Sequence, residues 1–439
     1  GGVLGGHWLP APKKCTRFAA HTLPREGGAA EKQTSMPETV IAAEQPPRES
    51  YRRLFLRFLR FGLLAWGGPV AQIAMIRQEL VDEERWVSNE RFNRVLAVYQ
   101  VLPGPEAHEL CVYFGYLAGG RVGGFLAGLG FMLPGFVLMF ALSWFYFTYG
   151  IGSALFQGVF FGFQAAVVAL IVRAIHRIGA HALADRWLLA IAVAAALGSA
   201  LGVHFAITLL VAGAAYVCVK RGWLAPALAL EIAFLAGAAL FFFSGAGAPV
   251  AAAASRSAAA PGTTSPLGLL LSGLRAGLLT FGGAYTAIPF LQNDAVVAGG
   301  WMSNQQFLDG IALSGILPAP LIIFSTFVGY AGGGALGALA ITFGIFLPAF
   351  AFTLVGHEYL ERLISTPGVH TFLDGVTAGV VGLIAVVALD IARATLTSWQ
   401  AALIFGLALV AVYLWKAKAA VAGVVLGAGV LGLLLMYVA

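Results

Sequence analysis

Long apolar runs dominate the chain and determine its predicted secondary structure. From Gly123 to the C-terminus, runs of about 20 apolar residues recur between short polar stretches, and an α-helix needs this length to cross the hydrocarbon layer of a membrane. The period-2 alternation of a transmembrane β-barrel is absent from these runs. The pattern therefore predicts an all-α, polytopic membrane protein embedded in a lipid bilayer.

The chain contains two copies of one unit. The stretch WGGPVAQIAMI begins at Trp66 and FGGAYTAIPFL begins at Phe281, an offset of 281 − 66 = 215 that also joins Trp86 to Trp301. One residue is then dropped, and FGYLAGG matches VGYAGGG at an offset of 329 − 115 = 214. An ordered series of this kind indicates a duplicated transmembrane unit.

The domain organisation follows from this duplication. Residues 51–243 are predicted to form the first transmembrane repeat and residues 267–439 the second, with a linker of small residues and prolines over 244–266. Residues 1–50 are rich in Gly, Pro, Lys and Glu and have no periodicity, so they are predicted to form a disordered tail. Met36 is a candidate native start within that tail.

Two apolar segments in each repeat are interrupted at mid-length. In the first repeat, GGP at 67–69 interrupts the segment 54–76 and PGP at 103–105 interrupts the segment 95–117. Their counterparts are GG at 282–283 and PAP at 318–320. Broken backbone at membrane depth is stable only where protein buries it or where it lines a watery cavity. Matching interruptions in two halves are typical of a transporter's binding site.

Basic residues predict how the repeats are oriented. Arginines flank the first broken segment on both sides, which predicts a re-entrant hairpin and a cytoplasmic N-terminus. Five ordinary spans are predicted near 123–147, 151–172, 187–203, 204–218 and 225–243, with Arg173, Arg177 and Arg186 in a cytoplasmic loop. The linker then lies outside, and the second repeat is inverted. Its loop over 292–309 contains no Lys or Arg, as an outside loop should.

Composition agrees with the membrane class. The chain of 439 residues is 59% hydrophobic and 10% charged, with a mean hydropathy of +0.86. The net charge of +6 is explained by basic loops, and no basic, aromatic-lined soluble face indicates nucleic-acid binding. The three cysteines form no CxxC pair and no metal-ligand spacing, so we expect neither a metal nor a cofactor.

The breaks themselves are candidate anion sites. A half-helix that starts inside the membrane directs unpaired N–H groups and the positive end of its dipole at a bound group, which suits a small tetrahedral oxyanion. The alternative is that these small residues only permit close helix packing. The predicted substrate-binding residues are Gly67, Gly68, Pro69, Gln72, Arg77, Pro103, Gly104, Pro105, Gly282, Gly283, Thr286, Pro318 and Pro320.

Arg77 allows two interpretations. It ends the first hairpin, where its charge could draw an anion towards the site or could serve only as a positive-inside anchor. Arg77→Lys keeps the charge and loses the planar fork, so transport by that variant would distinguish the two.

Glu106, His108 and Glu109 follow the PGP break directly. Their counterparts 215 positions on are apolar, so a need shared by both copies does not explain them. A charge at the bilayer centre costs roughly 2.5–3.5 kcal/mol on insertion scales, and three idle groups would be expensive. The cluster is therefore predicted to couple transport to protons. The alternative is that Glu106 caps the helix and the other two face a vestibule.

The motifs FGLLAWGGPVAQIAMIRQELVDEERWVS, LPGPEA and FGGAY…LPAP resemble the chromate ion transporter family in its long-chain, two-domain form. The resemblance covers residues 51–439 and implies a multi-pass carrier of the bacterial inner membrane that exports chromate, using an ion gradient. It gives functional weight to the GGP and PGP breaks, Arg77, Trp86 and Glu106. One departure is Ala319, where the family's second motif often has glycine, and this weakens the case for an equal role of the second proline break.

Other functions stay open at this point. A sulfate- or molybdate-type oxyanion carrier would use the same backbone donors. Measuring growth of cells on chromate and their uptake of sulfate would distinguish it from a chromate carrier. An intramembrane enzyme is not expected, because no Ser/His/Asp set or HExxH motif accompanies the acidic cluster. A channel would lack the alternating access that symmetric hairpins suggest. The chain could also work as a homodimer.

Overall fold

The structure is a computed structural model of the chain, and it describes residues 48–66, 68–150, 154–244, 264–281, 284–356, 367–415, 417 and 419–438. Residues 1–47 of the predicted tail and residues 245–263 of the predicted linker lie outside the described residues. So do Gly67, Gly282 and Gly283 of the predicted site. The described residues contain α-helices, short 3₁₀ and π turns, and no strand, which confirms the all-α prediction.

The first repeat contains eight helices within its described residues. They are α1 (Tyr51–Leu63), α2 (Pro69–Arg77, continued by a π turn over Gln78–Glu83), α3 (Asn89–Val101), α4 (Glu106–Tyr149), α5 (Ala154–Ala182), α6 (Arg186–Ala200), α7 (Phe205–Lys220) and α8 (Leu224–Phe243).

The second repeat contains seven helices within its described residues. They are α9 (Pro266–Leu278), α10 (Ile288–Gln292, preceded by a 3₁₀ turn over Ala284–Ala287 and continued by a π turn over Asn293–Ala298), α11 (Asn304–Gly315), α12 (Phe324–Leu354, preceded by a 3₁₀ turn over Leu321–Ile323), α13 (Pro367–Thr395), α14 (Trp399–Leu414) and α15 (Ala420–Val438). The helix α8 has no counterpart among them.

The helices break where the sequence predicts. The helix α1 ends at Leu63, and α2 begins at Pro69, whose missing N–H suits the first turn of a helix. Its N-cap, Gly68, has a φ of 80°, a left-handed conformation that favours glycine. The helix α3 ends at Val101 and α4 begins at Glu106, on either side of the PGP motif. Broken helices at these positions confirm the predicted fold class.

Two long helices are kinked at matching glycine pairs. The helix α4 bends at Gly119 and Gly120, and α12 bends at Gly333 and Gly334, an offset of 333 − 119 = 214. Gly120 and Gly334 have φ values of 64° and 59°, so a side chain there would be strained. The helix resumes at Arg121, directly after the kink. The broken segment and the next span are therefore the two arms of α4, and they fold against each other at the kink.

Among the described residues, five helices are long and apolar enough to cross a membrane by length and composition: α4, α5, α8, the segment Leu321–Leu354 that includes α12, and α13. The second span is predicted to end near residue 172, and the helix α5 continues beyond that point to Ala182. The reason is local: no Gly-Pro or Pro-rich breaker follows residue 172, and the next helix N-cap is Asp185.

The two repeats exchange helices. The helix α5 of the first repeat packs against α14 and α15 of the second, and α13, the counterpart of α5, packs against α6 and α7 of the first. The helices approach closely where α5 crosses α15 and where α13 crosses α7, because a glycine lies at each crossing. A Cβ on Gly162 of α5 would collide with Ala428, and a Cβ on Gly375 of α13 would collide with Ala212. The packing is reciprocal, because the corresponding long helix of each repeat contacts the corresponding pair of helices in the other.

A side-chain hydrogen bond between consecutive hairpin helices occurs in both copies. Arg77 donates to the amide oxygen of Asn89 over 2.9 Å, and Gln292 donates to Asn304 over 2.8 Å. The offset between the two pairs is 292 − 77 = 215, as for the rest of the hairpin. The bond ties the end of the first hairpin helix to the start of the next in both copies, and the second copy makes it without a charge.

Candidate anion-binding site

A cavity of about 460 Å³ lies where the broken elements of the two repeats meet. One wall is the first turn of α2, and a second is the C-terminal part of α5. The third wall comes from the second repeat: the end of α11, the PAP break and the link between α14 and α15. The cavity therefore joins two hairpins and one long helix, as expected of a site at a repeat interface.

Two arginines give this cavity its charge. Arg173 and Arg177 line it, and their spacing of four residues places both side chains on one face of α5. Both are partly buried, and neither is in an ion pair with a described carboxylate. A guanidinium presents a planar fork of donors that matches the oxygens of an oxyanion. We call this space the arginine cavity.

The helix α2 begins at the wall of the arginine cavity. Gly68 as N-cap makes no side-chain capping bond, and Pro69 has no N–H to donate. The N–H groups of Val70 and Ala71, the second and third residues of the helix, precede the first N–H that donates within the helix, that of Gln72 to the carbonyl oxygen of Gly68 over 3.1 Å. None of these four residues has a polar side chain, so the donors offered here are backbone groups. Such a helix start attracts anions.

The second repeat contributes a phenol. Tyr285 lies in the 3₁₀ turn after the GG break of the second repeat, and it lines the arginine cavity. Its counterpart in the first repeat is Val70, because 285 − 70 = 215. Its hydroxyl can donate one hydrogen bond to an anion without adding charge.

The structure brings only part of the predicted site to this cavity. Gly68 and Pro69 line it, and so does Ala319, the middle residue of the PAP break. Pro318 and Pro320 are buried on either side of Ala319.

Two other predicted residues, Gln72 and Thr286, are buried in the elements that form the walls and do not line the cavity. Gln72 is buried and donates its amide to the carbonyl oxygen of Ala65 over 2.9 Å. Thr286 is fully buried beside Tyr285.

The PGP break of the first repeat contacts the second repeat. The N–H of Gly104 donates to the carbonyl oxygen of Thr280 over 2.8 Å. Gly104 has a φ of 152°, and Pro105 is the N-cap of α4, while Pro103 is partly exposed. This break therefore helps to hold the two hairpins together next to the arginine cavity.

Arg77 lies at the other end of α2 from the arginine cavity. Eight residues separate it from Pro69, about 12 Å along a helix. Its guanidinium stacks on Phe92 at 5.7 Å in addition to the hydrogen bond to Asn89. A direct contact between Arg77 and an anion in the arginine cavity stays a prediction.

The three polar residues after the PGP break point to different places. Glu106 lines a second cavity, of about 360 Å³, together with Arg177, His181 and Asp374. We call this the glutamate cavity. Pro69 lines both cavities and so does Arg177, so the two spaces are neighbours.

His108 and Glu109 are fully buried. The imidazole of His108 lies 4.9 Å from the ring of Phe346 and 4.7 Å from that of Phe350. Neither carboxylate oxygen of Glu109 has a hydrogen-bond partner among the described residues, and the group packs beside Gly104. Of the three, Glu106 alone borders a described cavity.

Comparison with known proteins identifies the family. Residues 52–219 and 267–433 each match the chromate transporter family. A chromate transport protein of Pseudomonas aeruginosa is 56% identical over 393 residues, which are 88% of this chain and 93% of that protein.

The chain belongs to the chromate transporter family.

More distant members agree with this assignment. A probable chromate transport protein of Synechococcus elongatus is 32% identical over 84% of this chain and 91% of its own length. A chromate transport protein of Cupriavidus metallidurans is 31% identical over 90% of this chain and 96% of its own length. No solved structure matches this chain. Because the named relatives are transport proteins, the family is one of transporters and the enzyme hypothesis is dropped.

Sequence reasoning missed three members of the site. Arg173 and Arg177 were interpreted only as loop charges that indicate topology, and Tyr285 was not considered. The available signal was the absence of a helix breaker between residue 172 and Asp185, which extends α5 and places the arginines on a helix face. No signal in the sequence identifies Tyr285, since its role depends on which elements meet at the cavity.

Proposed function

We propose that this family member is a secondary active transporter that exports chromate across the bacterial inner membrane and so gives chromate resistance. The observation that carries the proposal is the arginine cavity, where two guanidinium groups and a helix start converge between the two repeats. The N-terminus is cytoplasmic in this proposal, and Arg173 and Arg177 face the cytoplasm, as their clustering on one side of the membrane predicts.

The donors of the cavity suit a tetrahedral dianion. Arg173 and Arg177 supply two positive charges, which balance the two negative charges of chromate. The N–H groups at the start of α2 and the hydroxyl of Tyr285 are directional and uncharged. Together they can replace part of the water shell that the anion loses on entering the membrane. The names of the relatives favour chromate over sulfate or molybdate as the substrate.

Both repeats build the cavity, and this supports alternating access. Its walls are α2 and α5 from one repeat and the PAP break from the other. A rocking motion of one hairpin against the other would open or close the space without breaking either repeat. The repeats are inverted in this proposal, as the basic loops of the sequence predict.

Proton coupling is proposed through Glu106. Glu106 and Arg177 line the glutamate cavity, and Arg177 also lines the arginine cavity. An ionised Glu106 attracts Arg177 away from the substrate, whereas a protonated Glu106 releases it. Proton binding at Glu106 and anion binding at Arg177 would then be linked through one guanidinium. Glu109 and His108 lie behind Glu106 as secondary members of the proposed relay.

The function is tested by transport into everted inner-membrane vesicles. Arg173→Gln and Arg177→Gln should each reduce the uptake of radiolabelled chromate by at least about tenfold, the effect of one lost charge-assisted bond of ~1.4 kcal/mol. Arg186→Gln is the matched control. Arg186 is exposed at the start of the next helix, so its variant should take up chromate like the unmodified protein.

Two results would contradict the proposal. Vesicles with the unmodified protein that take up no more chromate than empty-vector vesicles would show that the chain is not an exporter of this anion. Full uptake by both arginine variants, with normal amounts of protein in the membrane, would show that the substrate binds elsewhere.

A further inference from the structure

A third cavity, of about 670 Å³, lies beneath α8. Its walls are the link between α6 and α7, the inner face of α8, the π turn over Asn293–Ala298 and the C-terminal part of α13. The lining is mostly apolar, and Asp390 and His204 are its titratable groups among the described residues. We call this the α8 cavity.

The α8 cavity is the pseudo-symmetric counterpart of the arginine cavity. The helices α5 and α13 align at an offset of 367 − 154 = 213. At that offset Leu170 and Ala174, which line the arginine cavity, correspond to Leu383 and Val387, which line the α8 cavity. Two further walls correspond: each cavity is bordered by the first hairpin of one repeat and by the link between the last two exchanged helices. The same framework therefore encloses a chamber in each half.

The charges of the two chambers are opposite. Arg173 corresponds to Val386, and Arg177 corresponds to Asp390, because 390 − 177 = 213. Asp390 is mostly buried, with 21% of its side chain exposed. The nearest described cation, Arg393, is 70% exposed and lies 3.9 Å away, so the pair is loose and screened by solvent. One chamber thus carries two cations, and its counterpart carries an anion.

We propose that the α8 cavity is the release chamber of the chromate pathway and that Asp390 keeps its affinity for the dianion low. This inference rests on the proposed function. In inverted repeats, counterpart chambers open to opposite faces of the membrane. Equal chambers would hold the anion equally well on both sides, whereas an acidic group repels a dianion from the chamber that it leaves through. Asp390 sets the concentration at which chromate rebinds from that side, while the coupling ion still determines the final gradient.

The test measures affinity separately at each face. Radiolabelled chromate is presented to everted and to right-side-out vesicles, and the half-saturating concentration is determined for both. Asp390→Arg places an arginine where the arginine cavity has Arg177. It should lower the half-saturating concentration by about tenfold at the membrane face to which the α8 cavity opens. It should also slow net export, since release becomes the slow step. Asp390→Asn should lower this half-saturating concentration by a smaller factor. The value at the arginine face should stay unchanged in both.

Glu231→Gln is the matched control. Glu231 is a partly buried carboxylate of α8 itself, and it does not line the α8 cavity. Its variant removes one carboxyl group from the same neighbourhood, and it should leave both half-saturating concentrations unchanged. If the arginine variant does not reach the membrane, the asparagine variant carries the test.

The possible outcomes separate the two proposals. Export by the unmodified protein together with unchanged affinity at the α8 face in Asp390→Asn would overturn the release chamber and leave the proposed function intact. An equal change at both faces would overturn it too, because the effect would then be general. Absence of chromate transport in the unmodified protein would overturn both proposals.

Discussion

At the scale of single residues, Glu106 is placed to respond to the charge of the substrate site. It starts α4, where the helix dipole stabilises a carboxylate, and it borders a cavity that also contains Arg177. Glu109 follows one turn later but is sealed from both cavities.

Glu106→Gln tests whether Glu106 couples chromate transport to protons. Glutamine keeps the size of the side chain and cannot release a proton, so proteoliposomes with this variant should lose chromate flux driven by a proton gradient. They should still exchange radiolabelled chromate across the membrane at equilibrium, because Arg173 and Arg177 remain. Gradient-driven accumulation by both Glu106→Gln and Glu109→Gln would show that the cluster only caps the helix.

The sequence predicts backbone positions of the site better than its charged side chains. Gly68 and Pro69 are recognisable because a helix break at membrane depth is stable only where protein buries it or where it borders a cavity. Arg173 and Arg177 are ambiguous, since an arginine near a helix end is most often a topology marker. What distinguishes them is that α5 continues past residue 172 and lines the same cavity as the start of α2, which lies about 100 residues away in sequence.

At the scale of helices, the breaks and kinks are local and therefore predictable. GGP and PGP stop a helix wherever they occur, and the structure places helix ends beside both. The glycine kink near Arg121 is less predictable, because a glycine pair is compatible with a loop as well as with a bent helix. Packing within α4 determines which of the two forms. Gly115 and Gly123 approach each other backbone to backbone across the bend, so the two arms of α4 fold against each other.

Labelling of single cysteines tests whether the hairpins are inverted. Ser88 and Ser303 are counterparts, and each caps the helix that follows the first hairpin of its repeat. In a background without the native cysteines, Ser88→Cys should react with a membrane-impermeant thiol reagent from the cytoplasm and Ser303→Cys from the opposite side. The reason is that basic residues cluster in the loop of Ser88 and are absent from the loop of Ser303. Reaction of both from the same side would contradict the inverted arrangement.

At the scale of the whole molecule, the exchange of helices is what forms the chambers. The duplication and its offsets are visible in the sequence, but the partners of α5 and α13 are not. Runs of apolar residues are alike in composition, so periodicity does not show that Gly162 packs on α15 while Gly375 packs on α7. Once the helices are exchanged, each chamber receives walls from both repeats, and its charge is determined by the long helix that crosses it.

Binding of chromate in the arginine cavity is the central claim for this molecule. The most direct test is diffraction at the chromium absorption edge from crystals of the protein grown with chromate. We expect an anomalous peak in the arginine cavity, within hydrogen-bond distance of the guanidinium groups of Arg173 and Arg177 and of the N–H groups that begin α2, and no such peak in Arg177→Gln. A chromium peak at another position in the protein, with the arginine cavity empty, would contradict the claim.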